Sequence, residues 1–331
     1  MTTFRNVARA AFLLCLVVVV LGAWVRLTDA GLGCPDWPGC YGQLLAPGQE
    51  HAETAAAIWP ERPLDTGKAW REMIHRYAAG LLGILVFALA VMAWRNRRDP
   101  KQPVKTPLFL AALIIFQALL GMWTVTLLLK PLVVMAHLMG GMATLGILAW
   151  LALPSRADEA GANLAAQSKR FRRLAVLALV VAGLQIALGG WVSTNYAALA
   201  CPDFPTCQTR WWPEMDFLGG FDPWHGLGID YEGGILHNSA RVAIHVTHRI
   251  GALVALLVIG FAALWAWRSR PSPRARTAGT LVLIALITQI LLGIVMVLTS
   301  LPLSLAVAHN GVAALLLVSL VNLNKVAWRA N

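Results

Sequence analysis

Eight stretches of this chain run almost free of charge for about the ~20 residues that a membrane-crossing helix needs. They cover roughly 10–27, 70–94, 107–128, 132–153, 172–193, 241–267, 278–299 and 303–323. Charged residues, proline and glycine gather between them. The pattern predicts an all-α integral membrane protein with eight spans. The first run has the apolar centre of a secretory signal, but no clean small-x-small cleavage site follows it. Its C-terminal half also recurs later in the chain, so it is read as a membrane helix.

Composition agrees. Of 331 residues, 58% are apolar and 13% charged, and the mean hydropathy is +0.65. Soluble domains carry roughly 25% charge, so folding in water would leave far too much apolar surface exposed. Disordered, collagen-like and small disulfide-scaffold classes are excluded on the same grounds.

The net charge of +11 changes the picture once it is placed. Eight spans put both termini on one side. Eighteen of the 27 lysines and arginines fall at the termini, in the 95–106 and 268–277 loops, and in 154–171 with its edge; only Asp99, Asp158 and Glu159 accompany them. The opposite face holds nine basic and thirteen acidic residues. By the positive-inside rule, both termini and the short basic loops are cytoplasmic. The charge is a topology signal with affinity for anionic lipid headgroups, and it excludes a nucleic-acid footprint.

Two longer segments, about 28–69 and 194–240, carry an internal repeat. Residues 21–40, LGAWVRLTDAGLGCPDWPGC, match residues 188–207, LGGWVSTNYAALACPDFPTC, at eleven of twenty positions. Gln117-x-Leu-Leu-Gly121 likewise matches Gln289-x-Leu-Leu-Gly293, each glutamine twenty residues before a histidine. The chain therefore reads as two tandem four-helix bundles. Their boundaries are 1–153 for the N-terminal half, 154–171 for a cytoplasmic linker and 172–331 for the C-terminal half. With an even number of spans per copy, the pseudo-two-fold axis runs along the membrane normal.

Four of the five cysteines form C-x5-C pairs in these loops, on the oxidising side where disulfides persist. Local bridges Cys34–Cys40 and Cys201–Cys207 are the simplest pairing; a redox-active dithiol or metal clip stays open for the first loop. Cys15 reads as a small apolar core residue. Trp59, Trp70, Trp211, Trp212 and Trp224 read as an interface belt.

Ionisable groups at membrane depth are costly and mark function. His75, His137, His248 and His309 fall in the second, fourth, sixth and eighth spans, each about six to eight residues in, roughly 9–12 Å at 1.5 Å per residue. Each half thus offers two histidines at matching depth, the way an axial pair meets a planar cofactor from opposite sides. Zinc fits less well, since two histidines leave it short of ligands. The halves differ one turn before the first histidine: Glu72 in one, His245 in the other. Arg76 and Arg249 follow the histidines and are candidates for haem propionates or for interfacial snorkelling.

These residues together resemble the heme A synthase family, over essentially the whole chain: eight spans in two halves, cysteine-paired loops, Glu-x-x-His-Arg in the second span and single histidines in the fourth, sixth and eighth. The resemblance implies an oxidoreductase acting on CH or CH2 groups. It would oxidise the C8 methyl of heme O to a formyl group through a hydroxymethyl intermediate, heme I, and supply heme A to terminal cytochrome oxidase. It implies heme b as cofactor between His248 and His309, heme O as substrate between His75 and His137, and Glu72 as the catalytic residue. The setting would be the bacterial cytoplasmic membrane. The implied partners are the heme O synthase, the cytochrome oxidase assembly and an electron donor that the residues do not name; a homo-oligomer is left open. Two rivals come from other classes. A di-haem b-type cytochrome that only transfers electrons has no use for the asymmetry at Glu72. A transporter on the duplicated bundle calls for helices broken near the midplane.

Overall fold

A computed structural model describes residues 2–153, 165–268 and 273–328. The ordered elements are α1 (Thr2–Leu27), α2 (Ala52–Ile58), α3 (Thr66–Arg95), α4 (Lys105–Thr126), α5 (Pro131–Ala152), α6 (Ala165–Thr194), α7 (Phe217–Gly220), α8 (Asn238–Arg268), α9 (Pro273–Leu298) and α10 (Leu303–Trp328). Eight of them are long and apolar enough to cross a membrane, and all eight expected spans are found as helices. Among the described residues there is no β-strand. Arg156, Asp158, Glu159, Arg270 and Arg329, which enter the charge argument, lie outside the described residues, as does most of the 154–171 linker.

Helix ends differ from the apolar runs for local reasons. α3 starts four residues early because Asp65 caps it, its carboxylate accepting from the Lys68 N–H at 2.9 Å. Four spans end in one motif. Asp29, Leu128–Leu129, Tyr196 and Ser300–Leu301 all have positive φ. The chain then turns back so that Ala30 N–H reaches Val25 O, Leu129 reaches Thr124, Ala197 reaches Val192 and Leu301 reaches Met296, at 2.8–3.0 Å. These are the six-to-one bonds that close a helix C-terminus. The repeat therefore extends to how α1, α4, α6 and α9 stop.

The chain divides into two compact units, Met1–Thr144 with Asp222–Ile235, and Leu145–Phe221 with Leu236–Asn331; the division falls within α5. In the first unit α3 packs against α1 and α4. The segment 222–235 is fastened into this unit by polar contacts. Arg62 pairs with Asp230 at 2.6 Å and Glu232 at 3.1 Å. Tyr231 N–H donates to Leu128 O, and buried Lys130 donates to Gly226 O while lying over the Trp224 ring. Trp59 is tucked edge-on against Tyr41, ring centroids 5.5 Å apart, within a small core that includes the Cys34–Cys40 bridge. Burial in that core pushes the Tyr41 phenol above its ordinary pKa.

In the second unit α6, α8, α9 and α10 close on one another in a ring of contacts. Their core is built of small residues: Ala175, Ala178 and Ala182 of α6 meet Ala255, Ala262, Ala263 and Ala266 of α8, with Ile259, Leu286 and Leu320 filling the centre. Small side chains let helix backbones approach, which drives packing where lipid removes the hydrophobic incentive. At Gly279 a Cβ would lie 2.6 Å from the Ala263 carbonyl oxygen, so α9 and α8 could not sit this close with any larger residue.

Candidate functional site

Both expected disulfides are present, Cys34–Cys40 and Cys201–Cys207, and both close the same small structure. Cys40 and Gln43 exchange backbone hydrogen bonds around Tyr41–Gly42, and Cys207 and Arg210 do so around Gln208–Thr209. All four central residues have positive φ, the geometry of a type I′ turn. An aspartate fills each loop. Asp36 accepts from the N–H groups of Tyr41 and Gly42 at 2.6 and 2.8 Å. Asp203 accepts from those of Gln208 and Thr209 at 2.6 and 3.0 Å. The Thr206 hydroxyl and these amides hold the Asp203 carboxyl below the ordinary carboxylate range.

Each loop is gripped by the arginine that follows a histidine. Arg76 donates to the carbonyl oxygens of Asp36 at 3.0 Å, Pro38 at 3.3 Å and Gly39. Arg249 donates to those of Thr206, Cys201 and Asp203 at 2.8–2.9 Å. Both terminal guanidinium nitrogens of Arg249 are thus engaged on loop carbonyls, whereas Arg76 gives Nη1 to its loop and Nη2 to Glu72.

The asymmetric position also holds a loop. Glu72, buried at 5% exposure, accepts from Cys34 N–H at 2.9 Å through Oε2 and pairs with Arg76 at 2.5 Å through Oε1. Of the two arginines that flank it on α3, Arg76 forms the ion pair; Arg71 reaches the Thr28 carbonyl instead. In the other half His245, also buried, places Nδ1 2.9 Å from the Ala197 carbonyl oxygen.

The four histidines share one seat. Each packs its Cε1 edge against a glycine of the preceding long helix. A Cβ on Gly22 would lie 3.1 Å from His75 Cε1, and one on Gly121 would lie 3.5 Å from that of His137. The corresponding distances are 3.2 Å from Gly189 to His248 and 3.1 Å from Gly293 to His309. The sequence reading passed over these glycines, although each sits in the repeated Leu-Gly of LGAW, LGGW and the two QxLLG strings. Within each unit the two imidazoles, His75 with His137 and His248 with His309, are close enough for a charge on one to act on the other.

The residues fit an iron porphyrin. Nδ1 of His75, His137 and His309 is buried with no hydrogen-bond partner among the described residues. The main-chain carbonyls of Val18, Gln117 and Gln289, one turn before the seating glycines, stand close by. A carbonyl so placed receives the N–H of a histidine whose other nitrogen binds metal. Among the described residues no group of three or more His, Cys, Asp or Glu could cage a bare ion. Two imidazoles suffice only where a macrocycle supplies the remaining ligands.

Residues 5–321 match the protein family described as cytochrome oxidase assembly protein. The chain belongs to this family. It is similar to the heme A synthase of Shewanella oneidensis, with 43% identity over 97% of this chain and 95% of that protein. It is also similar to the heme A synthases of Halalkalibacterium halodurans, 28% identical over 92% and 90% of the two chains, and Parvibaculum lavamentivorans, 29% identical over 89% and 85%. Across the family match lie all four seated histidines and both gripped disulfide loops.

Proposed function

We propose that this family member is a heme A synthase, an oxidoreductase that converts the C8 methyl of heme O to the formyl group of heme A in the bacterial cytoplasmic membrane, with both termini cytoplasmic. The observation that carries the reading is the set of four imidazoles within the membrane spans, each on a glycine seat and paired within its unit, in a chain so similar to proteins of that name.

In this reading His248 and His309 hold heme b, which when bound supplies one-electron chemistry. His75 and His137 hold the substrate heme O between α3 and α5. The chain's own work is to orient and to manage protons. The glycine seats fix the imidazole planes. The arginine-gripped loops close over the helix ends that carry the histidines. Glu72 lies one turn from His75 on the same face of α3 and is the group there able to take or return a proton as the methyl is oxidised. Arg76 and the Cys34 amide set where its carboxylate stands. The terminal nitrogens of Arg249 already serve its loop, and those of Arg76 its loop and Glu72, so propionates would have to draw on what those contacts leave.

Haems extracted from protein made with and without heme O supply, and identified by mass, test this. Heme O, partly oxidised haem and heme A should appear only with supply, beside constant heme b. Two permanent b-type haems in every condition would establish the di-haem cytochrome instead, a reading that leaves the buried Glu72–Arg76 pair without a counterpart to explain.

A further inference from the structure

One turn beyond His137, its face of α5 is bare. Gly140 and Gly141 follow the histidine by three and four positions, so both share its face, deeper in the span. A Cβ on Gly141 would meet nothing within 4 Å. One on Gly140 would overlap the side-chain amide nitrogen of Gln117, which α4 sends into this gap. Gln117 is 7% exposed, and its Nε2 is buried with no hydrogen-bond partner among the described residues. An unpaired amide N–H in an apolar setting is costly and points to a ligand group that completes it.

The second unit closes the same place. The repeat that aligns His137 with His309 puts Val312 and Ala313 where Gly140 and Gly141 stand. Val312 denies Gln289 the gap that Gln117 takes, and the Gln289 amide nitrogen lies 3.0 Å from His309 Nε2 instead.

The direction of a haem in the first site follows from its charges. Its propionates belong at the end of the span nearest water, where charge costs least. C8 shares a pyrrole with one of them, which turns the reacting methyl toward Glu72, one turn on the loop side of His75. The opposite edge, deeper in the span, carries the group by which heme O differs from heme b: a hydroxyethylfarnesyl chain in place of a vinyl.

We infer that Gln117, Gly140 and Gly141 form the subsite for that chain and select heme O over heme b. The Gln117 amide N–H donates to the hydroxyl of the chain, and the two glycines clear room for its first carbons. This rests on the proposed function and gives the substrate site a determinant that the histidines, common to both units, do not supply. A buried group built to bond a substrate hydroxyl disfavours the analogue without it, because the group is then left unpaired.

The test is haem binding to purified full-length protein in a His309→Ala background, which removes a ligand of the second site, titrated separately with heme O and heme b and followed optically. The first site should prefer heme O. Gln117→Leu should lower affinity for heme O by about 10-fold or more and leave that for heme b unchanged or higher. Equal weakening of both haems would mark a merely structural residue and overturn the inference. The reverse exchange reads a gain. In a His137→Ala background, Val312→Gly combined with Ala313→Gly should let the second site retain heme O, identified by mass after extraction from cells supplied with it. This arm stands even if Gln117→Leu folds poorly. Unchanged preferences in both arms would overturn the subsite while leaving heme O as the substrate. Failure of the first site, with Gln117 in place, to bind heme O at all would overturn the proposed function together with the inference.

Discussion

The carboxylate of Glu72 and the main-chain N–H of Cys34, 38 residues apart in sequence, are joined by a buried 2.9 Å hydrogen bond. It ties the first disulfide loop to the helix of His75, one turn from the imidazole. Arg76 completes the triangle by donating both to Glu72 and to the loop. Glu72 therefore holds the loop at the position proposed for the chemistry, and two substitutions separate the two roles.

Glu72→Gln keeps an oxygen for Cys34 N–H but removes the negative charge. The protein should remain in the membrane with heme b at His248 and His309, lose heme A formation, and accumulate heme O or a partly oxidised haem. Glu72→Ala removes both contacts and leaves half-buried Arg76 without its anion, a change that costs up to about 3 kcal/mol. It should lower thermal stability as well. Normal heme A yield in Glu72→Gln, measured by extraction and mass, would remove Glu72 from the chemistry.

Gly189→Ala should act on His248 directly. The new methyl would stand 3.2 Å from Cε1, so the ring has to give by a few tenths of an ångström. Overpacking of this kind costs about 1–3 kcal/mol. The expected outcome is folded protein with less haem in the second site and a shifted low-spin spectrum. An unaltered spectrum at full haem content would show that the seat is not shape-selective.

The cysteine pairs should prove structural. Serine at both Cys34 and Cys40 should cost ~2–3 kcal/mol for so short a loop and leave measurable turnover, because Arg76, Glu72 and Asp36 still hold the backbone. Complete inactivity in protein of near-normal stability would favour a redox role. Arg249→Lys should loosen the second loop more than its charge suggests, since one ammonium cannot span the three carbonyls that a planar guanidinium reaches. Faster amide exchange over 201–210 is the readout.

Asp203 supplies a pH signature for the same loop. Its folded-state pKa is depressed by the Thr206 hydroxyl and two amides. Its contribution is therefore present above the unfolded-state value and lost as pH falls through the lower folded value. Protection of the Gln208 and Thr209 amides should persist on acidification through the ordinary aspartate range and fail only below it. Thr206→Ala should move that loss to higher pH. A loss already complete near pH 5 in the unaltered protein would contradict the assignment.

Much of this was written in the sequence. Eight apolar runs of about twenty residues fixed the all-helical class, because in lipid a continuous run of that length satisfies its backbone hydrogen bonds as a helix, whereas barrel strands are shorter and alternate. The C-x5-C pairs identified their own disulfides, since residues so close in sequence need little else to meet. The histidines stood out because an ionisable group inside an apolar run needs a reason. Only the tertiary structure decided what each side chain touches. The glycine seats join residues that are 16 to 59 positions apart, and a glycine in an apolar run looks the same whether it faces a histidine or lipid. Arg76 and Arg249 read as candidates for propionates or for interfacial snorkelling, because only the folded loop supplies the carbonyls that their guanidinium groups take up.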